Sequence, residues 1–219
     1  MSVGDWQRLY GDGLQDVRWP WSDLVSLVTR YHKSREHRSV LELGFGTGPN
    51  IPFFLNSGYL YRGIEGSSEA VRLARSRFPE VADRLDVGDI TSFSCDEAFD
   101  LVVDRAALTH NTSDAIEEAF SCIRSSLRPG GVFVGVDWFS QRHSAWGAGE
   151  EVDPFTRTHI CEGQFAGVGI VHFETASNLS STLHRAGLSV IRLEEKTVTT
   201  IVGNGGEEVV ASFNFVAKR

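Results

Sequence analysis

Short apolar runs alternate with helical patterns along most of this chain, and this alternation constrains the fold more than any other feature. A strand followed by a helix, repeated several times, is typical of a mostly parallel sheet with helices on both faces. We therefore predict an α/β, doubly wound architecture. Five apolar runs are interpreted as its strands: 40–43, 61–64, 84–87, 99–103 and 132–136.

The C-terminal part of the chain departs from this alternation. Two β-rich segments, 188–202 and 208–217, are separated by Gly203-Asn204-Gly205-Gly206. Glycine and asparagine favour the tight turns that join adjacent strands. The pattern predicts a C-terminal antiparallel hairpin added to the parallel sheet.

The predicted helices have recognisable starts. Leu24 and Leu27 belong to an amphipathic pattern that leads into the first strand. Ser67 or Ser68 is placed to cap the helix that follows the second strand. Ser113 or Asp114 is placed to cap a longer helix, whose apolar face is expected to hold Ile116, Phe120, Ile123 and Leu127.

The chain length predicts one domain. At roughly 150 residues per domain, 219 residues suit a single buried core. Residues 137–173 lack a clean period, and irregular segments of this length are usually functional. We predict one domain over 1–219, with 1–38 as an N-terminal helical cap and 137–173 as an insertion or lid.

The charge and the cysteine content limit which partners and which cellular compartment are expected. The net charge is −8, whereas a nucleic-acid surface needs clustered lysine and arginine. The densest basic stretch, 30–38, is interpreted as a solvated helix end. Three separated cysteines do not form a secreted disulfide framework, and no run approaches the ~20 apolar residues of a membrane span. We expect a cytoplasmic protein, monomer or homodimer, without nucleic-acid or membrane partners.

A glycine-rich turn follows the first predicted strand. Gly44, Gly46 and Gly48 have the spacing G-x-G-x-G, whereas the dinucleotide fingerprint is G-x-G-x-x-G. Such a turn favours a ligand without a pyrophosphate. Glu65 follows about 20 residues later at the end of the second strand, where an acid can accept from both ribose hydroxyls. Asp89, just after the third strand, can accept from an adenine amine.

These residues resemble those of the class I methyltransferases, which use S-adenosylmethionine (SAM). Glu42, Gly44, Gly46 and Gly48 look like the first motif of that family, and Glu65 resembles its ribose-binding acid. The resemblance implies SAM as the cofactor.

The resemblance extends from about residue 40 to 136. Asp89 and Ile90 are similar to the adenine clamp of the family, and 99–105 and 128–136 look like its fourth- and fifth-strand signatures. It implies that further residues also contribute to cofactor binding: Phe45, Gly66, Asp104 and Arg105.

The sequence constrains the identity of the methyl acceptor less than it constrains the cofactor. The Asn/Asp-Pro-Pro-Tyr motif of amino-methyltransferases and a Pro-Cys nucleophile are both missing, which argues against a nucleobase. A hydroxyl acceptor usually requires a general base, and the candidates are His110, His143 and Asp104. We expect a small-molecule acceptor and methylation of an oxygen or nitrogen atom. The flanking segments 6–10, 18–21 and 167–173 look like a bacterial subgroup often associated with the modification of surface polysaccharides or other small molecules. This resemblance implies a sugar-type acceptor as one possibility.

Aromatic residues supply the expected walls of the site. The N-terminal segment contributes Trp6, Tyr10, Trp19 and Trp21 together with Arg18, and the insertion contributes further aromatic residues. His159 and Cys161 alone lack the further ligands of a structural zinc site, so no metal is expected.

Other interpretations remain open from the sequence. Gly44 to Gly48 could form a plain tight turn, Asp89 a helix cap, and Glu65 an exposed strand end. His110 and His143 could each be a structural or surface residue, and the insertion could be a packed subdomain that covers the sheet. The chain could also be a non-catalytic SAM-binding protein or a nicotinamide-dependent oxidoreductase.

Overall fold

The computed structural model describes residues 3–11, 17–33, 36, 38–95, 97–201, 203 and 206–219. Part of the basic stretch 30–38, and Asn204 and Gly205 of the predicted turn, lie outside the described residues. The helices are α1 (Val3–Gly11), α2 (Ser22–Tyr31), α3 (Ile51–Asn56), α4 (Ser68–Arg77), α5 (Ser113–Ser126) and α6 (Ala176–Arg185). The first five strands are β1 (Ser39–Leu43), β2 (Leu60–Glu65), β3 (Leu85–Val87), β4 (Phe99–Arg105) and β5 (Leu127–Phe139). The remaining strands are β6 (Glu150–Asp153), β7 (Thr156–Thr158), β8 (Val171–His172), β9 (Ser189–Ile201) and β10 (Glu207–Lys218).

Seven strands form the main sheet, in the order β3-β2-β1-β4-β5-β10-β9. The first five are parallel, and β10 pairs antiparallel with both β5 and β9. The predicted α/β fold and C-terminal hairpin are confirmed. The chain runs outward from β1 to β3 and then returns to β4 on the other side of β1. This reversal opens a crevice at the carboxyl ends of β1 and β4, where open α/β sheets bind ligands.

Alternation along the strands separates two apolar layers. In β4, Leu101 and Val103 join the layer that also contains α2, α3 and α4. Val102 faces the other way, into the layer formed with α5 and α6. Because side chains on a strand point alternately to opposite faces, each strand stabilises both layers. The burial of both faces explains why β4 is apolar over most of its length.

Helix and strand boundaries differ from the prediction in a few places. Ser67 caps α4 as expected, since its hydroxyl accepts from the Ala70 amide. The predicted cap of α5 was wrong, because Thr112 holds the cap position and Ser113 donates to Asp153. Leu127, expected on that helix, is the first residue of β5.

The segment 137–173 is more ordered than expected. It contains a second, three-stranded sheet in the order β6-β7-β8. A small apolar cluster of Ile160, Phe165, Val171 and Phe173 supports this sheet. The expectation of an irregular segment was therefore wrong. None of the helices in the described part of the chain is both long and apolar enough to cross a membrane.

Candidate active site

One cleft of about 520 Å³ lies at the carboxyl ends of β1 to β4. This volume falls within the range of ordinary small-molecule sites. The glycine turn, the segment after β4 and the insertion all contribute to its walls, and so do Trp6, Tyr10 and Trp21 from the N-terminal segment. Trp19, also expected there, is instead 81% exposed to solvent.

The glycine turn forms one edge of the cleft. Gly44 and Gly46 line it, and Gly46 has a φ of 56°, in the left-handed region that favours glycine. A Cβ atom on Gly46 would lie 2.7 Å from the hydroxyl oxygen of Tyr10. Gly48 does not line the cleft; its lack of a side chain lets Ile51 and Phe78 pack closely. The predicted contact of Gly48 with a cofactor is therefore replaced by a packing role.

Glu42 supports the glycine turn through hydrogen bonds of its buried carboxylate. Its carboxylate accepts hydrogen bonds from Asn50 Nδ2 at 2.8 Å and from the Tyr61 hydroxyl at 2.6 Å. Burial raises its pKa to about 7. Asn50 Oδ1 in turn accepts from the backbone amide of Trp21 at 3.1 Å. The Glu42–Asn50 pair thus ties the end of β1 to the N-terminal segment. Asn50 was missed as a site residue, although a polar residue directly after the glycine turn is a usable signal.

Glu65 at the end of β2 lines the cleft and is held by backbone amides. One carboxylate oxygen accepts from the Gly46 amide at 2.9 Å, and the other accepts from the Ser67 amide at 2.8 Å. Burial raises the pKa of this carboxyl group. Each carboxylate oxygen has more than one acceptor position, so both can still accept from a ligand hydroxyl. Phe45 and Gly66 line the same part of the cleft.

Asp89 and Ile90 close the side of the cleft next to β3. Both line it, as expected from the sequence. One oxygen of Asp89 accepts from the Thr91 amide at 2.8 Å and from the Thr91 hydroxyl at 2.7 Å. This local turn fixes the direction of the carboxylate.

Asp104 and Arg105 are neighbours in the sequence but occupy different positions relative to the cleft. Asp104 is completely buried and does not line the cleft. Its Oδ1 accepts from the amides of Ala107 and Leu108 at 3.2 and 3.0 Å, and burial raises its pKa to about 7. Asp104 thus shapes the turn after β4 and, lying below the surface, is not in place to act as a general base.

Arg105 does line the cleft, and its guanidinium group is fixed on two sides. Its Nε donates to Asp137 Oδ2 at 2.9 Å. The guanidinium carbon lies 3.5 Å from the ring centroid of Trp21, a cation–π contact.

His110 is the candidate base that the structure places in the cleft. Its Nδ1 lies 3.1 Å from the carbonyl oxygen of Ile170. Because a carbonyl can only accept, Nδ1 carries the proton and the neutral ring keeps a lone pair on Nε2. Burial lowers the pKa of His110 to about 4, so the ring is neutral near pH 7.

His143, the other histidine candidate, does not line the cleft. Its Nδ1 accepts from the Ala145 amide at 3.0 Å and caps a short helical turn. The rings of Phe139, Phe165 and Phe173 surround it. These contacts give His143 a structural role in the insertion.

Other residues of the cleft had no clear signal in the sequence. Asn111 and Gln164 line it with neutral polar groups, and Thr91 lies beside Asp89. Within the described ranges, no group of three or more histidine, cysteine or acidic residues is arranged to hold a metal ion.

Comparison with known proteins agrees with this geometry. Residues 40–131 match the model of a family described as a methyltransferase domain. A ribosomal RNA small subunit methyltransferase A of Porphyromonas gingivalis is 39% identical over 66 residues, which are 29% of this chain and 26% of that protein. An uncharacterized methyltransferase of Bacillus mycoides is 32% identical over 140 residues, which are 61% of this chain and 64% of that protein. The chain therefore spans about a quarter of the first relative and less than two thirds of the second.

Solved structures extend the similarity to most of the chain. A SAM-dependent methyltransferase of Methanosarcina mazei superposes with a TM-score of 0.68 at 19% identity, over 92% of this chain and 98% of that one. A SAM-bound amino pentose methyltransferase of Micromonospora echinaspora, involved in calicheamicin biosynthesis, superposes with a TM-score of 0.60 at 21% identity, over 91% and 92% of the two chains. Identities this low indicate a shared fold only. Residues 40–131 thus match a methyltransferase domain, and the chain has the fold of SAM-dependent methyltransferases, in agreement with the family predicted from its sequence.

Proposed function

We propose that this protein transfers a methyl group from SAM to an oxygen or nitrogen atom of a small-molecule acceptor. One observation carries the proposal. The cleft joins the glycine turn and the acids Glu65 and Asp89 to a second, aromatic region that contains His110. A cofactor and an acceptor can therefore occupy a single continuous cleft.

The residues present suit SAM. Glu65 would accept from the ribose hydroxyls, and Asp89 from the adenine amine, with the Ile90 amide beside it. Gly46 leaves room for the methionine part, and Phe45, Gly66 and Arg105 complete this part of the wall. When bound, SAM supplies a methyl group made electrophilic by its sulfonium. The contribution of the protein is then binding and orientation, and positioning alone can be worth roughly 7–11 kcal/mol of the barrier.

The neutral ring of His110 is the candidate acceptor for the proton that leaves the substrate. Its Nδ1 is occupied by Ile170, so Nε2 is the nitrogen available to a bound molecule. General base assistance of this kind contributes typically 10²–10⁴-fold to rate.

A small acceptor is supported over a nucleic acid. The net charge of −8 opposes a phosphate backbone. Among the lining residues that the structure describes, Arg105 is the only lysine or arginine, and it is paired with Asp137. Within the class of small molecules, the sequence leads us to propose a sugar-type acceptor. Its support is the aromatic lining, against which a sugar ring could pack.

The domain organisation predicted from the sequence is also kept as a proposal. The chain 1–219 would form one domain in which 1–38 acts as a cap and 137–173 as a lid. Tyr10 and Gln164, which line the cleft from these two segments, support it. We further propose a monomer or homodimer that works in the cytoplasm, in keeping with three separated, unpaired cysteines.

Thermal unfolding with S-adenosylhomocysteine (SAH), and with NAD as the control, tests the cofactor first. At one hundred times its dissociation constant a ligand stabilises a protein by about 2.7 kcal/mol. For a chain of this size the expected shift in Tm is roughly 5–11 °C. A shift with NAD and none with SAH would instead favour the oxidoreductase. Binding of SAM without turnover of any acceptor would favour a non-catalytic SAM-binding protein.

A further inference from the structure

Four aromatic rings form a continuous wall at one end of the cleft. The aromatic wall consists of Trp6, His110, Phe139 and Phe165, all of which line the cleft. Successive ring centroids lie 5.1, 5.8 and 4.7 Å apart, with interplanar angles of 73°, 70° and 68°. Each ring therefore meets the next edge to face, a favourable arrangement that fixes the wall.

The acidic residues of the cleft come from the other side of the strand order than this wall. Glu42, Glu65 and Asp89 come from β1, β2 and the segment after β3, on one side of the strand order. His110 and Phe139 come from the segment after β4 and the end of β5, on the other side. Arg105 is on this second side, but its charge is compensated by Asp137. Among the lining residues that the structure describes, the wall end thus holds one charged side chain, Arg105, which is paired with Asp137. The other polar groups of the wall end are the neutral side chains of His110, Asn111 and Gln164.

This distribution restricts what can bind beside the wall. A phosphate, carboxylate or ammonium group would leave water without a counter-charge, which is costly. A sugar would bury several hydroxyls, and each one left without a partner costs about 1–3 kcal/mol. A flat ring, in contrast, gains from offset or edge-to-face contact with the wall.

We infer that the acceptor is an uncharged aromatic compound whose ring O–H or N–H group hydrogen bonds to Nε2 of His110. This inference rests on the proposed methyl transfer and replaces the sugar-type acceptor as the preferred class. In the reaction, a lone pair on the acceptor oxygen or nitrogen forms the bond to the methyl carbon, and the carbon–sulfur bond breaks with its electrons going to sulfur. The acceptor proton moves to His110 Nε2 and then to solvent.

The properties of His110 fit an acidic donor. Its pKa of about 4 makes it a weak base. Transfer of a proton to a weak base is less unfavourable when the group that loses the proton is itself acidic. Phenolic hydroxyls and the N–H groups of electron-poor heteroaromatic rings are more acidic than the hydroxyls of sugars, so they match this site better.

Three probes test the acceptor class: naphthol, its sulfonated analogue hydroxynaphthalene sulfonate, and glucosamine. SAH release is measured with SAM and each probe. We expect kcat/KM for naphthol to exceed that of both others by at least about tenfold, the discrimination that burial at an apolar site commonly provides. Faster turnover of the sulfonate or of glucosamine would overturn the inference. So would a lack of turnover of naphthol by protein that binds SAH, whereas failure to bind SAH would remove the proposed function itself.

A change of charge at the wall end gives an independent test. Gln164 is exposed and lines the cleft, so Gln164→Arg adds a cation at the wall end, with loss of the hydrogen bond between the Gln164 side chain and His143. The ratio of kcat/KM for the sulfonate to that for naphthol should rise by about two- to fivefold, the equivalent of about 0.5–1 kcal/mol for a solvent-exposed ion pair. Gln141→Arg makes the same change in the same insertion but outside the lining of the cleft, and should leave the ratio unchanged. An unchanged ratio in Gln164→Arg, or an equal rise in both variants, would show that the wall end does not select the acceptor.

Discussion

His110 Nδ1 donates a hydrogen bond to the carbonyl oxygen of Ile170, 3.1 Å away. This contact joins the segment after β4 to the insertion that precedes α6. It also fixes the tautomer, since the carbonyl can only accept. The insertion therefore does more than cover the cleft, because its backbone determines which nitrogen of His110 a bound molecule meets.

Substitution of His110 should reduce turnover without weakening the binding of the cofactor. We expect His110→Gln to lower kcat by about 10²-fold or more, the usual contribution of a general base. The Kd for SAM, measured by calorimetry, should stay within about twofold of wild type, since His110 lies at the acceptor end of the cleft.

His143→Gln is the matched control for that variant. It replaces a histidine that caps a turn and does not line the cleft, so its cost should appear in Tm and not in kcat. An equal loss of kcat in both variants would contradict the assignment of His110.

The pH dependence of stability should change when the buried carboxyl group of Asp104 is removed. Burial raises its pKa to about 7, against 3.8 in the unfolded chain. Between these values the folded protein binds more protons than the unfolded one, so this group costs stability as pH rises from about 4 to 7. In Asp104→Asn, the side-chain amide oxygen can still accept from the backbone amides of Ala107 and Leu108.

Urea unfolding of Asp104→Asn and of wild type from pH 4 to pH 8 measures this effect. The free energy of unfolding of the variant, relative to wild type, should rise across this range by up to about 4 kcal/mol, at 1.36 kcal/mol per pKa unit. The exposed Asp83→Asn should leave the pH curve almost unchanged. A constant difference between Asp104→Asn and wild type would mean that Asp104 is charged throughout.

The sequence predicts the residues of the proposed cofactor half of the cleft better than those of the proposed acceptor half. The glycine turn, Glu65 and Asp89 each follow a strand, and parallel strands bring their carboxyl ends to one edge. The periodicity of the strands was therefore enough to bring these residues together. Strand periodicity gives the face on which a residue lies but not its depth, so the burial of Asp104 beneath the next turn could not be predicted.

The insertion shows a second limit of prediction from the sequence. Its strands β6, β7 and β8 have only four, three and two residues, too few for a readable alternation. The role of His143 depends on the Ala145 amide, and the contact of Tyr10 with Gly46 depends on how α1 packs. Such contacts are set by tertiary packing, which a local pattern does not encode.

Removal of the Glu65 carboxylate should weaken the binding of SAM. We expect Glu65→Ala to cost about 1.5–3 kcal/mol of binding free energy, the usual value for hydrogen bonds to a charged group. The same carboxylate also accepts from the amides of Gly46 and Ser67, so the glycine turn should loosen and Tm should fall as well. Calorimetry with SAH gives the first quantity and thermal unfolding the second. Wild-type affinity in the variant would place the ribose contact elsewhere, and Glu80→Ala, on the exposed surface, controls for loss of negative charge.

A side chain at Gly46 should block the cofactor. Gly46→Val would place atoms next to the Tyr10 hydroxyl, on the surface that the methionine part of SAM would contact. We expect the Tm shift with SAH to disappear while circular dichroism still shows a folded α/β protein. Gly58→Val is the matched control, because Gly58 has a φ of 78° but nothing lies within 4 Å of an added Cβ. Both variants should lose stability through backbone strain, of order 1–3 kcal/mol for a non-glycine residue in this region. Only Gly58→Val should keep the SAH-dependent shift, and its retention by Gly46→Val would mean that the cofactor does not bind against the glycine turn.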